Sequence, residues 1–172
     1  MELTGSGFVL RPWQLGDALS LQQHANNFNV SAYLLDRFPF PYTLPDAVSW
    51  LNSQLQNPGP TSNFAITING KAVGGIGMEF RHDVYRKTAL IGYWLSEDYW
   101  GRGIMPQAVK LMTDYAFANL DLICIQAGVL SANPKSMRVL EKAGYQKQGI
   151  LRKCIIKRGE VMDEHVYAAF IP

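Results

Sequence analysis

The sequence is poor in the residues that mark disulfide frameworks, metal centres and membrane spans. Its only cysteines among 172 residues are Cys124 and Cys154, and they form no C-x-x-C. Both fall in strand-like runs, a pattern expected of buried free thiols in a reducing cytoplasm. His24, His82 and His165 stand apart from one another and from the cysteines, so no ligand spacing for a metal is present. No apolar run approaches the ~18–20 residues of a membrane helix. Met1-Glu2-Leu3-Thr4-Gly5 has neither the basic start nor the apolar stretch of a signal peptide. A net charge of +2 exerts little pull toward nucleic acid or a membrane surface, so neither is an expected partner. The absence of G-x-S-x-G argues against a serine hydrolase. The absence of G-K-[S/T] argues against a P-loop.

What is present is ordinary for a globular chain, with 48% hydrophobic and 17% charged residues. The length fits one domain over residues 1–172, core from about 8 to 170, large enough to bury roughly 70% of its unfolded surface. No repeat, linker or low-complexity segment interrupts it.

Phe8–Trp13 reads as a strand, and Asp17–Ala25 places Ala18, Leu21 and Ala25 at helical spacing. Tyr33–Tyr42 is aromatic and broken by proline, so it cannot be one helix. Thr43 with Asp46 approximates a capping box for a helix carrying Val48, Leu51 and Leu55, stopped by Asn57-Pro58-Gly59-Pro60. Asn69-Gly70 marks a hairpin between Phe64–Ile68 and about Ala72–Phe80, and Gly74, Gly75 and Gly77 predict a bulge or close backbone approach. With Ala89–Leu95 this makes an antiparallel meander. Ile104–Asn119 is an amphipathic helix and Leu122–Val129 a buried-type strand. Asn133-Pro134 opens a helix that Gly144 closes. Tyr145–Lys157 and Val161–Phe170 are the last strands. Their basic residues Lys147, Arg152, Lys153, Lys157 and Arg158 read as a solvated face.

The stretch Ile91–Pro106, I-G-Y-W-L-S-E-D-Y-W-G-R-G-I-M-P, joins a strand to a helix through a glycine-bracketed arginine. Backbone N–H groups at a helix start lack intrahelical partners, and glycine lets an anion approach them. Gly101-Arg102-Gly103 is therefore a candidate phosphate cradle, with the Arg102 guanidinium as a second contact. The same residues also suit a tight turn with no ligand. A dinucleotide fold would place its acidic ribose ligand after the following strand, whereas Asp121 precedes that strand.

Three further features stand in order with that loop. Asn133-Pro134-Lys135-Ser136-x-Arg138-Val139-Leu140-Glu141-Lys142-Ala143-Gly144-Tyr145 follows it. Arg158-Gly159-Glu160-x-x-Asp163 with Tyr167 comes later. Phe40-Pro41-Tyr42-Thr43-x-x-Asp46-Ala47 lies upstream. Together they resemble the GNAT superfamily of N-acetyltransferases, in the RimJ/RimL-like branch that contains ribosomal-protein N-terminal acetyltransferases, over about Phe8 to Phe170.

The resemblance implies an α/β (α+β) fold, a mixed and mostly antiparallel sheet of about seven strands with about four helices packed on it. Its fourth and fifth strands, at 89–95 and 122–129, would splay into a cofactor cleft. It implies acetyl-CoA as cofactor, CoA as product, and direct transfer to a primary amine. The backbone of Trp94, Leu95 and Ser96 would hold the pantetheine arm, and Gly101, Arg102, Gly103, Ile104 and Met105 the pyrophosphate. Asn133 would bond the arm, and Ser136 would stand near the sulfur as a proton donor; a plain N-cap and a first-turn serine are the alternatives. The acceptor is a peptide N-terminus or a small amine, and a homodimer is among the assemblies allowed. An acyl-CoA-binding protein with little catalysis and a polyamine or antibiotic acetyltransferase are competing readings.

Several positions depart from the pattern. Trp100 and Met105 occupy the ends of the loop signature, and Pro106 has no N–H to offer. Leu90 stands where many members carry a basic glutamate, and Leu140 where other branches carry an acid tyrosine. Glu79, His82, Asp83 and Tyr93 are the remaining candidates for proton relay, Glu79 and Tyr93 foremost with Ser136. Tyr33, Phe38, Phe40 and Tyr42 are candidates to line the acceptor groove and equally to pack under the second helix, and Asp36, Asp163 and Glu164 are candidates to hold a cationic amine.

Overall fold

The computed structural model describes residues 1–172. One eight-stranded sheet forms the centre, in the order β1-β2-β3-β4-β5-β6-β8-β7. The strands are β1 Leu3–Gly5, β2 Phe8–Pro12, β3 Asn63–Ile68, β4 Lys71–Phe80, β5 Thr88–Leu95, β6 Cys124–Leu130, β7 Gln146–Lys157 and β8 Glu160–Phe170. The helices are α1 Ala18–Ala25, α2 Phe28–Ser31, α3 Leu44–Leu55, α4 Ile104–Asn119 and α5 Pro134–Lys142. The expected mixed, mostly antiparallel sheet is therefore present, with one more strand and one more helix than anticipated. β1 is three residues long and α2 is one turn, too short for hydrophobic periodicity to register. Neither is stable alone. β1 exists because it pairs with β2, and α2 because the Asn27 side chain caps it by accepting from the N–H groups of Asn29 and Val30.

The local signals between these elements behave as their chemistry dictates. Thr43 and Asp46 form a complete capping box at α3. Asn69 and Gly70 both take positive φ, 49° and 78°, as a tight hairpin turn requires. The β3–β4 register slips between Ile66 and Thr67. A Cβ on Gly74 would lie 2.6 Å from Trp94 O, and one on Gly75 would lie 2.8 Å from Trp94 Nε1. The bareness of β4 thus lets β5 and the Trp94 indole settle onto it.

The main core lies under α4 and α5, where Phe64, Ile66, Val73, Ile91, Met112, Ile125 and Leu140 pack together. A smaller cluster on the opposite face joins Trp13, Leu21, Tyr42, Leu51, Ala65 and Ala72 beneath α1 and α3. No helix is long and apolar enough to cross a membrane.

The feature that positions the site is a short ladder. β5 and β6 are the only parallel neighbours, and they pair only at Thr88–Cys124, Ala89–Ile125 and Leu90–Gln126. Beyond Leu90, β5 stays on β4 up to Leu95, while β6 follows β8 up to Leu130. The sheet is therefore split between these two strands, as the resemblance to the acetyltransferases implied.

Candidate functional site

A cavity of about 480 Å³ opens on the split side of the end of β5 and runs along the starts of α4 and α5. Tyr93, Trp94, Leu95, Gly101, Arg102, Gly103, Ile104, Met105, Asn133 and Ser136 all line it, so the structure gathers most of the predicted residues around one space. Two predicted residues stay outside. Ser96 is buried; its N–H donates to Val73 O at 2.8 Å, and its Oγ lies 2.9 Å from His24 Nδ1. Antiparallel pairing alternates direction along a strand, so Trp94 also directs its backbone toward β4. Tyr93 and Leu95 turn theirs toward the split. The backbone turned to the split is thus that of Tyr93 and Leu95, in place of the expected Trp94–Ser96, and of Leu95 it is the N–H that is open, since its carbonyl accepts from Trp100 Nε1.

Glu79 is the second outlier. It is exposed on β4 and forms an ion pair with Arg37. The segment after α2 crosses this end of the sheet and brings the guanidinium to it, a contact between residues 42 apart that no local pattern announces.

The loop before α4 has the backbone of an anion cradle. Gly101 and Gly103 adopt φ of 74° and 71°, a region that side chains disfavour. Gly103 is the N-cap and supplies no side-chain acceptor, so the first-turn N–H groups are uncapped. Ile104 and Met105 bury their side chains in the core while their main chain remains at the cavity. Pro106 falls in the first turn, where an N–H has no intrahelical acceptor anyway, so α4 loses nothing by it. Trp100 turns inward, and its Nε1 donates to Leu95 O at 2.8 Å. Arg102 donates to Asp98 O at 2.7 Å and stacks over Tyr99.

Sequence reasoning missed a basic rim. Lys135, Arg138 and Lys142 on α5 line the cavity with Arg102. Their spacing of three and four residues puts them on one helical face, and that periodicity was the available signal. Of the basic residues of the last hairpin, Lys147, Arg152 and Lys153 are exposed as expected. Lys157, expected on a solvated face, is buried and donates to Asp36 at 2.9 Å, and Arg158 donates to Ser31 Oγ at 2.7 Å while covering the Phe28 ring.

At the inner end of the cavity the Tyr93 hydroxyl lies 2.7 Å from Ser136 Oγ. Burial pushes the Tyr93 pKa up to about 12, against a smaller opposing effect of the Ser136 hydrogen bond. Tyr93 therefore keeps its proton throughout the neutral range. Asn133 Oδ1 accepts from Ser136 N at 3.3 Å, which fixes the first turn of α5 behind that pair. Leu140 is fully buried in the core and Leu90 is 39% exposed, so neither position carries an ionisable group toward the cavity.

The acceptor-side expectations divide. Tyr33 lines the cavity, together with Val30 and Leu34 of the same segment. Tyr42 is in the core instead, Phe38 packs between Tyr42 and Trp94, and Phe40 meets Phe28 edge to face. Asp36 is held by Lys157, and Asp163 accepts from Lys153 N. His82 and Asp83 lie on an exposed turn after β4. Cys154 is exposed and Cys124 half-buried, contrary to the expected pair of buried thiols; Cys154 lies on β7, the outermost strand, and Cys124 is the first residue of β6.

A split sheet edge, a glycine turn, an uncapped helix and a basic rim together define a class of site. They suit an elongated ligand with an amide-bearing arm and phosphates. Residues 8–146 match the acetyltransferase (GNAT) domain family. The chain belongs to this family, the N-acetyltransferases whose acyl donor is acetyl-CoA. It is 50% identical over 86 residues to the probable N-acetyltransferase YjcK of Bacillus subtilis, covering 50% of this chain and 48% of that one. It is 29% identical over 163 residues to the uncharacterized N-acetyltransferase p20 of Bacillus licheniformis, covering 93% and 90% of the two. Its fold matches RimL, a ribosomal L7/L12 alpha-N-protein acetyltransferase solved with coenzyme A, at a TM-score of 0.86, with 21% identity over 99% of this chain and 98% of that one.

Proposed function

We propose that this chain transfers the acetyl group of acetyl-CoA to a peptide N-terminal α-amine, or to another amine of low pKa. The observation that carries the reading is the missing base. Leu90 is exposed beside the split, and the carboxylate across from it, Glu79, is engaged by Arg37.

The attacking amine needs its lone pair. At pH 7 a lysine-type amine of pKa ~10.4 is neutral only about once in 2,500 molecules, whereas an α-amine of pKa ~7.7–8.0 is neutral in roughly one in six to ten. A positioned base contributes ~10²–10⁴-fold, so a site without one turns over α-amines far better than lysine side chains.

The donor supplies a thioester, and its transfer forms a C–N bond, breaks the C–S bond and leaves a thiolate. This chain's residues serve that exchange in distinct ways. Tyr93 and Leu95 offer main-chain groups to the pantetheine arm, and Arg102 to Met105 offer N–H groups to the pyrophosphate. Lys135, Arg138 and Lys142 add positive charge at the phosphate end. Asn133 holds the first turn of α5 in place. Ser136 Oγ gives its proton to the leaving sulfur as Tyr93 passes its own to Ser136, and Tyr93 regains a proton from the water that receives the one shed by the amine. Water takes the proton shed by the amine.

The test is release of free CoA thiol with a panel of N-terminal peptides, polyamines and lysine-type amines between pH 6.5 and 10. The expected result is a rate that rises with pH and levels near 8 on peptide α-amines. Faster turnover of polyamines or lysine analogues at pH 7 overturns the acceptor assignment. CoA-dependent thermal stabilisation without turnover of any amine identifies a binding protein instead.

A further inference from the structure

Two residues past Leu95, the Glu97 carboxylate gathers the side-chain amides of a segment some 70 residues earlier. Asn27 Nδ2 donates to Oε2 at 2.9 Å, and Asn29 Nδ2 donates to Oε1 at 2.9 Å and to Oε2 at 3.1 Å. The Asn27 side chain has a second task. Its Oδ1 accepts from Asn29 N at 2.8 Å and from Val30 N at 3.1 Å, which caps α2. One amide therefore links Glu97 to the backbone of Val30. The far end of α2 is fixed by Arg158, whose guanidinium donates to Ser31 Oγ and covers Phe28.

A one-turn helix has no stability of its own, so these two attachments set where α2 lies. Val30, with Tyr33 and Leu34 just beyond it, forms the wall of the cavity opposite α5. Glu97 itself belongs to the turn between the strand end at Leu95 and the cradle at Gly101. The carboxylate thus ties the wall on the 30–34 side to the stretch that handles the donor.

We infer that Glu97 is a positioning residue that seats α2, and with it the acceptor-side wall of the cavity, against the donor-binding stretch. Through this bond the donor and acceptor sites are coupled. Ordering of residues 95–105 by CoA is transmitted to residues 28–34. The inference rests on the acetyltransferase reading above, and it concerns how the acceptor is positioned, with no part in the bond changes.

Glu97→Ala removes both acceptors, Glu97→Gln keeps one oxygen for the asparagine amides, and Asn27→Asp keeps the α2 cap while setting a carboxylate against Glu97. On the best amine of the panel, Glu97→Ala and Asn27→Asp raise acceptor KM about tenfold or more, with kcat within about threefold; Glu97→Gln recovers most of the loss. An unchanged KM, or a fall confined to kcat, overturns the inference. Amide hydrogen exchange supplies a readout independent of turnover. CoA slows exchange at residues 28–34 in the wild type and leaves it unaltered in Glu97→Ala, and an equal response in both overturns the coupling. If no amine is acetylated by the wild type, the acceptor reading fails while the exchange measurement still decides the role of Glu97.

Discussion

The hydroxyl oxygens of Tyr93 and Ser136 stand 2.7 Å apart, one from a sheet strand and one from the first turn of a helix 43 residues on. Because burial pushes the Tyr93 pKa up to about 12, the pair keeps its protons through the neutral and mildly alkaline range in which peptide α-amines become reactive. Tyr93→Phe should lower kcat roughly tenfold to hundredfold, and Ser136→Ala by at least as much, with donor affinity little changed. Single-turnover thiol release with a saturating peptide measures this. A kcat that survives both substitutions removes the pair from the reaction.

Tyr42 and Tyr93 both have pKa values raised to about 12 by burial. An unfolded tyrosine ionises near 10. Below pH 10 both states keep the proton and the stabilising effect of these sites is complete. As pH climbs from 10 to 12 the unfolded chain ionises first, so folding stability declines. Melting temperature should decline gently from about pH 8.5, where the unfolded Cys124 thiol ionises before the folded one, and drop more steeply above 10. Tyr93→Phe should make that alkaline slope shallower, and an identical slope would contradict the assignment.

Leu90→Glu places a carboxylate at the exposed position beside the split. Turnover of lysine-type amines at pH 7 should rise by as much as ~10²-fold, while peptide α-amines gain far less, because they already supply a neutral fraction. The ratio of the two kcat/KM values is the readout. Equal gains would mean that amine deprotonation does not limit the parent protein.

Gly103 holds φ at 71° with open space where a Cβ would sit. Gly103→Ala should therefore cost about 1–2 kcal/mol from backbone strain alone and weaken CoA-dependent thermal stabilisation. Gly74→Ala makes a contrast, since its Cβ would lie 2.6 Å from Trp94 O and must push β5 away from β4. A loss of about 1–3 kcal/mol is expected there, read by urea denaturation. The donor then binds less well because Tyr93 and Leu95 move with β5.

Much of the cavity lining at the starts of α4 and α5 was legible in the sequence because its signals are local. Asn133 before Pro134, Gly101 and Gly103 before an apolar-periodic run, and Thr43 with Asp46 each act within one turn of chain, where sterics and hydrogen bonding leave few options. The acceptor side was not legible in the same way. Glu79 looked free until Arg37 arrived from another segment, and Phe38 and Tyr42 proved to be packing residues under Trp94 and α3. Glu97 carried no local signal at all, since its meaning lies in Asn27 and Asn29.

By itself the sequence determined the order of the elements, the helix caps and hairpin turn, the glycine cradle and the absence of a glutamate at Leu90. These follow from backbone conformation and side-chain type over a few residues. Only the tertiary structure decided where the β5–β6 ladder stops, which backbone groups face the split, and which charged groups are already paired. Those depend on contacts between residues tens of positions apart, whose geometry is set by packing of the whole sheet and its helices.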